Sequence, residues 1–194
     1  MAELTERART RIYTRTGDEG MTGCVGGERC SKDDPRIEAC GSLDEVNALL
    51  GATISLLPLA HALHKPLEQL QHDLFTVCAE IAALTEIGEK MTLPRVNESH
   101  TSEMERLIDF FDNQMPPQHS FLLPGGTQAA SFLHIARTVA RRAERSIVRL
   151  SRDRHINTEL LRYVNRLSDL LYVMARFANQ EADVAEQPPI YKKE

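Results

Sequence analysis

PLEQLQHDLFTVCAEIAAL, residues 66–84, sets Leu67, Leu70, Leu74, Val77, Ile81 and Leu84 at alternating intervals of three and four. With about 3.6 residues per helical turn, that spacing lays one apolar stripe along a helix, the seam of a bundle. Pro66 suits a first helical position, where its missing N–H costs nothing. The same rhythm returns after Asn157, with Leu160, Val164, Leu167, Leu171, Met174 and Ala178. Upstream, Ser42-Leu43-Asp44-Glu45 has capping-box form and predicts a helix whose apolar face is Val46, Leu49, Leu50, Ile54 and Leu57, stopped by Pro58. Asn97 heads a further segment with Met104, Leu107, Ile108 and Phe111 on its face, closed by Pro116-Pro117. Gly125-Gly126-Thr127 opens a long run to about Ser151 that no proline or glycine interrupts.

Five amphipathic helices with no strong strand pattern predict an all-α fold, an up-and-down five-helix bundle. The chain reads as one domain over 1–194, with a glycine-rich segment (1–41), the bundle (42–183) and a mobile tail (184–194) in which Pro188-Pro189 forbids helix. A net charge of −5 disfavours general nucleic-acid affinity, and 5% aromatics without tryptophan disfavour base-stacking platforms. No apolar run approaches a membrane span, and MAELTERARTR has no signal-like apolar core. Cys24, Cys30, Cys40 and Cys78 form no C-x-x-C pair and read as reduced thiols, which predicts a cytoplasmic protein.

The chemistry-bearing residues lie in three places. Tyr13 to Gly27, YTRTGDEGMTGCVGG, carries five glycines and three threonines, a backbone able to turn N–H groups onto an anion. It lacks the lysine and hydroxyl that complete a P-loop. Between residues 134 and 154 stand seven arginines against Glu144 and Asp153. Arg137, Arg141, Arg145 and Arg149 form one stripe whose mutual repulsion an anion would offset. The planar guanidinium fork matches phosphate, while a solvated face with intramolecular pairs explains the same pattern. Because apolar positions flank the stripe closely, several guanidiniums are expected near the core or an interface. In the last helix Asn165, Ser168 and Asp169 interrupt the apolar period, either as interhelical hydrogen bonds or as contacts to a nucleotide or metal. Asp44 and Glu45 are either first-turn acids or partners for a fourth-helix arginine. No Glu-x-x-His occurs, against a ferritin-like di-metal bundle, and His61 and His64 lack a third ligand for zinc. No G-x-S-x-G or nucleophile cysteine setting supports covalent catalysis.

Five segments occur together in order: Tyr13–Thr22 (YTRTGDEGMT), Gly41–Asn47 (GSLDEVN), Phe121–Thr127 (FLLPGGT), Arg137–Arg145 (RTVARRAER) and Asn165–Asp169 (NRLSD). With them, the chain from about residue 11 to 182 resembles the PduO-type ATP:cob(I)alamin adenosyltransferases. The resemblance implies a homotrimer of five-helix bundles with ATP and corrinoid meeting at each subunit boundary. It implies that Thr14, Arg15, Thr16, Gly17, Asp18 and Thr22 wrap the triphosphate, joined by Lys32. Arg141, Arg142, Ala143, Glu144 and Arg145 match the family's ATP-binding helix, and Asn165 its nucleotide-side amide. Asp44 and Arg137 match an ion pair across the boundary beside the corrinoid, and Phe121 the ring that closes the lower corrin face. Arg141, Asp44, Arg137 and Phe121 are thereby the implied catalytic set.

The implied reaction moves the 5′-deoxyadenosyl group of ATP to cobalt, with Co(I) as nucleophile and triphosphate as leaving group, so no activated serine or cysteine is needed. Arginines, backbone N–H groups and Mg²⁺ held mainly by the ATP phosphates would stabilise the departing charge. The implied partners are ATP, cobalamin, a flavin-dependent reductase and an adenosylcobalamin-dependent mutase, with no nucleic acid and no membrane. A non-catalytic nucleotide-binding regulatory trimer and an adenosylcobalamin carrier are the alternative functions.

Overall fold

A computed structural model describes residues 12–85 and 87–191. Residues 1–11 of the N-terminal segment and 192–194 of the tail lie outside the described residues. The element order is β1 (Met21–Gly23), β2 (Arg29–Ser31), α1 (Pro35–Leu56), α2 (His64–Ala82), α3 (Glu98–Asp112), α4 (Gln128–Leu150) and α5 (Thr158–Glu181), with a 3₁₀ turn at Gly88–Lys90. In space α1 packs on α2 and α4, α4 on α5, and α5 on α3. The fold is the five-helix bundle expected from the periodicities.

Side-chain caps set most helix starts. Thr127 accepts from the Ala130 N–H and Asn157 from that of Glu159. Asn97 accepts from the Ser99 N–H while His100 reaches back to the Asn97 N–H. The first helix departs from expectation. It begins at Pro35 and not after Ser42, because Asp34 accepts from the Arg36 N–H and Pro35 has a preset φ. Ser42 is therefore a buried residue inside α1 and not a cap. Pro66 likewise sits within the first turn of α2, which starts at His64.

Seam positions Leu67, Leu74, Val77 and Ile81 on α2 meet Leu43, Val46 and Leu50 on α1 within one fully buried core. Ala136, Ala140 and Ala143 give α4 a small-residue face, so it can lie close to α1 and α5 at once. A two-stranded hairpin was not expected. β1 and β2 pair antiparallel, with Thr22 opposite Cys30, and three-residue strands are too short to show a period of two.

The loop entering α4 is pinned by α5. Asn179 is buried, accepts from the Thr127 N–H at 2.9 Å and donates to the Gly125 carbonyl at 2.9 Å. Gly126 has φ +106°, and a Cβ there would stand 2.2 Å from Asn179 Oδ1. Gly126→Ala is expected to cost about 2–4 kcal/mol, from the strained φ and the overlap together. Differential scanning calorimetry should show a clearly lowered melting temperature, and an unchanged one would mean that the loop relaxes freely.

Candidate functional site

The nucleotide-segment candidates lie on one exposed loop beside the hairpin. Arg15 takes φ +61°, and its guanidinium lies 5.5 Å from the Tyr13 ring centroid. Thr14 and Thr16 hydroxyls meet at 2.9 Å. Gly17 passes so close to Lys32 that an added Cβ would be 3.2 Å from the ammonium, and the Lys32 N–H donates to the Gly20 carbonyl at 2.8 Å. Asp18 is exposed, and Thr22 is half-buried on β1. Thr14, Arg15, Thr16, Gly17, Asp18, Thr22 and Lys32 thus share one surface. Arg29 adds a cation that sequence reasoning missed, its guanidinium donating to the Thr16 carbonyl.

A second group lies on the faces of α1, α4 and α5. Arg142 pairs with Glu45, as the sequence allowed for a fourth-helix arginine. Glu144 accepts from the Asn165 amide at 2.8 Å, which ties α4 to α5 beside the stripe. Arg166 pairs with Asp169 and with Glu105 of α3. Ser168 is turned inward and donates to the Asn165 carbonyl. Ala143 is fully buried and serves the core, so only its backbone can belong to a ligand site.

Of the two settings expected for the stripe, the core or an interface, the core is not what the single chain shows. Arg141, Arg142, Arg145 and Arg149 are exposed within the chain, and only Arg137 is half-buried. The apolar arc of α4 mixes alanines with Leu133, Val139, Ile147 and Leu150, and the guanidiniums of Arg141, Arg142, Arg145 and Arg149 lie outside it. Among the described residues, Arg141, Arg145 and Arg149 have no carboxylate partner, nor does Asp44. No hydrogen bond or ion pair joins residues 12–32 to Arg137–Arg149 among the described residues.

Arg137 does not pair with Asp44 inside one chain. Its guanidinium lies 5.9 Å from the Tyr172 ring centroid, and its buried Nε has no partner. The buried His134 ring packs at a tilt on Tyr172 with its Nδ1 also unpartnered. Burial, then the neighbouring Arg137 charge, holds the His134 pKa below the ordinary imidazole value, so the ring is neutral at pH 7.

Phe121 stands 79% exposed at the tip of the α3–α4 loop, without a packing role inside the chain. Together with Gln118 it faces Pro188, Pro189 and Tyr191 of the tail across a cleft of about 550 Å³. The tail, expected to be mobile, is seated here by a bond from the Leu123 N–H to the Gln187 carbonyl at 2.8 Å. Two residues absent from the sequence reading hold this end together. Tyr172 donates to Gln118 at 2.7 Å, and the buried Arg176 bonds Glu186, Asp112 and the Pro116 carbonyl. Arg176 interrupts the apolar period of α5, which was the one available signal. A cleft of about 690 Å³ between α2, residues 93–96 and α5 contains none of the expected residues. Its Glu80 is already satisfied by the Val96 N–H and Asn157.

Among the described residues no group of three His, Cys, Asp or Glu side chains could hold a metal ion. No described helix is long and apolar enough to cross a membrane.

The cobalamin adenosyltransferase family model matches residues 12–178. The chain belongs to the cobalamin adenosyltransferase family. It is 39% identical over 179 residues to the corrinoid adenosyltransferase of Bacillus subtilis, covering 91% of this chain and 90% of that one. It is 43% identical over 178 residues to corrinoid adenosyltransferase PduO of Salmonella typhimurium, covering 90% of this chain and about half (51%) of that protein. Its fold matches that of a variant PduO-type ATP:corrinoid adenosyltransferase from Lactobacillus reuteri complexed with cobalamin and ATP. The TM-score there is 0.87 at 38% identity, over 92% of this chain and 96% of that one.

Proposed function

We propose that this family member transfers the 5′-deoxyadenosyl group of ATP to the cobalt of cob(I)alamin, forming adenosylcobalamin and releasing triphosphate. One observation carries the reading beyond family membership. Two sets of cations, Arg15, Arg29 and Lys32 on the loop and hairpin and Arg141, Arg145 and Arg149 on the stripe, have no carboxylate partner among the described residues, and no hydrogen bond or ion pair joins one set to the other within one chain. A second copy that brings its stripe to the first copy's loop would complete the site, and the homotrimer is the assembly we infer. Thr14, Arg15, Thr16, Gly17, Asp18, Thr22 and Lys32 then hold the phosphates from one side. Arg141, Arg142 and Arg145 act from the other, with Glu144 and Asn165 on the nucleoside side.

The chemistry asks little else of the protein. Cob(I)alamin is the nucleophile; its electron pair attacks C5′ of ATP, the C5′–O bond breaks, and that pair leaves with the triphosphate. Guanidiniums and loop N–H groups stabilise the charge gathering on the leaving group, and fixed geometry aligns carbon with cobalt. Mg²⁺ enters with the ATP phosphates, since it keeps several of its waters and takes few protein ligands. Phe121 excludes water and a lower ligand from cobalt. Asp44 and Arg137 pair across the boundary beside it, a reading supported by the absence of an ion-pair partner for either among the described residues. Supply of Co(I) and use of the product call for a flavin-dependent reductase and an adenosylcobalamin-dependent mutase. Cytoplasmic residence is supported by four free cysteines.

Subunit mixing tests the shared site. Asp44→Arg and Arg137→Asp chains should each be nearly inactive alone, since like charges then face each other at every boundary. Each mixed trimer has one native boundary, one exchanged boundary and one that still sets like charges together, so adenosylation followed by absorbance should return in part. Full recovery is not expected, because aspartate and arginine differ in length. Monomers by mass photometry at micromolar concentration, or no recovery on mixing, would contradict the shared site.

A further inference from the structure

Residues 12–31 reach the bundle through few contacts, and Arg36 is the centre of them. It lies in the first turn of α1 and is only 2% exposed. Its Nε and Nη2 donate to the two Asp34 oxygens at 2.9 and 2.8 Å, and Nη2 also donates to Glu28 Oε1 at 3.1 Å. Its Nη1 donates to the Leu84 carbonyl at 3.0 Å, just beyond the end of α2. One guanidinium thus joins the β1–β2 turn, the start of α1 and the end of α2. The Asp34 carboxyl is held below the usual carboxylate range, first by its hydrogen bond from the Arg36 side chain, so Asp34 carries its charge at neutral pH.

From Glu28 the connection runs directly to the candidate phosphate residues. Arg29, the next residue, holds the Thr16 carbonyl, and Lys32 holds the Gly20 carbonyl and lies against Gly17. The turn itself sits tightly on the bundle. The Val25 N–H donates to the Ala82 carbonyl at 3.3 Å, and a Cβ on Gly26 would be 3.1 Å from the Gly88 nitrogen.

We propose that Arg36 is a positioning residue for ATP, clamping the β1–β2 turn to the ends of α1 and α2 so that Thr14–Gly20 is held ready for the triphosphate. The role rests on the reading of residues 14–32 as the triphosphate-binding segment. A preorganised loop binds more tightly because its ordering is not charged against the ligand. Arg36 acts at a distance, through Glu28, Arg29 and Lys32, and touches no substrate. A guanidinium is required because no ammonium reaches two carboxylates and a carbonyl with fixed in-plane donors.

Glu28→Gln and Arg36→Lys test this in the full-length chain. Glu28 is partly exposed, and glutamine keeps an acceptor oxygen, so its variant should melt like wild type. In Glu28→Gln the ATP dissociation constant, measured by calorimetry without corrinoid, should rise roughly three- to tenfold. In Arg36→Lys the rise should be roughly tenfold or more. In both, corrinoid KM should stay within about twofold, because only the nucleotide side is loosened. Hydrogen exchange of the ligand-free protein should show faster exchange of the Val25 and Lys32 amides, with amides of the α5 core unchanged. Unchanged ATP affinity in both variants, or unchanged Val25 and Lys32 exchange, would overturn the role of Arg36. A lowered melting temperature with unchanged ATP affinity would do the same and leave Arg36 as a fold-stabilising residue only. If wild type itself binds no ATP, the reading of residues 14–32 fails and Arg36 loses its role with it.

Discussion

Phe121→Ala is expected to abolish most turnover when the enzyme starts from cob(II)alamin and a mild reductant. Phe121 is 79% exposed, so its removal should leave no cavity in the core and little change in melting temperature. The physical cause lies in the cobalt. A lower axial ligand or water raises the energy of the orbital that must accept the electron, and an apolar ring against that face keeps both away. A shift of about 120 mV in a one-electron midpoint lowers the reduced fraction about a hundredfold, which is the scale of loss to expect. The loop is suited to hold the ring in place, with Gly125 and Thr127 pinned by Asn179 and Pro116 by Arg176. When a strong chemical reductant supplies Co(I), the loss should be much smaller, and ATP affinity should stay near wild type in both assays. Electron paramagnetic resonance with ATP bound should show four-coordinate Co(II) in wild type and not in the variant. Equal losses in both assays, with that signal retained, would remove Phe121 from the corrinoid site.

Arg141→Ala carries the second large effect. Arg141 is exposed and has no carboxylate partner among the described residues, so a stability defect is not expected. A charge-assisted contact to phosphate contributes about 1.5–3 kcal/mol, or roughly ten- to a hundredfold in ATP use. Corrinoid KM should move little. Arg141→Lys should recover only part of the loss, because an ammonium is a point donor and cannot reproduce the two-pronged fork. Steady-state kinetics with ATP varied at saturating cob(I)alamin will decide. Unchanged kinetics in the alanine variant would make the stripe a solvated face.

The sequence made the bundle legible where the signal was local. Asn97, Thr127 and Asn157 mark helix starts because a short polar side chain can cap only its own helix. The start of α1 is less legible: Asp34-Pro35 is the signal the structure uses, but the capping-box form of Ser42–Glu45 points to a later one. A helix glycine such as Gly41 costs only about 1 kcal/mol, and Ala39 and Leu43, both fully buried, outweigh it. At the candidate site, the residue types pointed to phosphate, yet three features had no local trace. The hairpin is too short for periodicity. Arg36 and Arg176 take partners from distant parts of the chain, the Leu84 and Pro116 carbonyls, which no spacing rule connects to them. The exposure of the arginine stripe depends on how closely α4 packs on α1 and α5, a matter of volume and not of pattern.

The central claim is that this protein joins the C5′ carbon of ATP to cobalt. Purified full-length protein, chemically reduced cob(I)alamin, ATP and Mg²⁺ should be combined without oxygen and followed by absorbance, with the nucleotide products resolved by ion-exchange chromatography. The account predicts light-sensitive adenosylcobalamin formed in equal amount with intact triphosphate. ATP bound or cleaved to ADP, with no carbon–cobalt product, would contradict it.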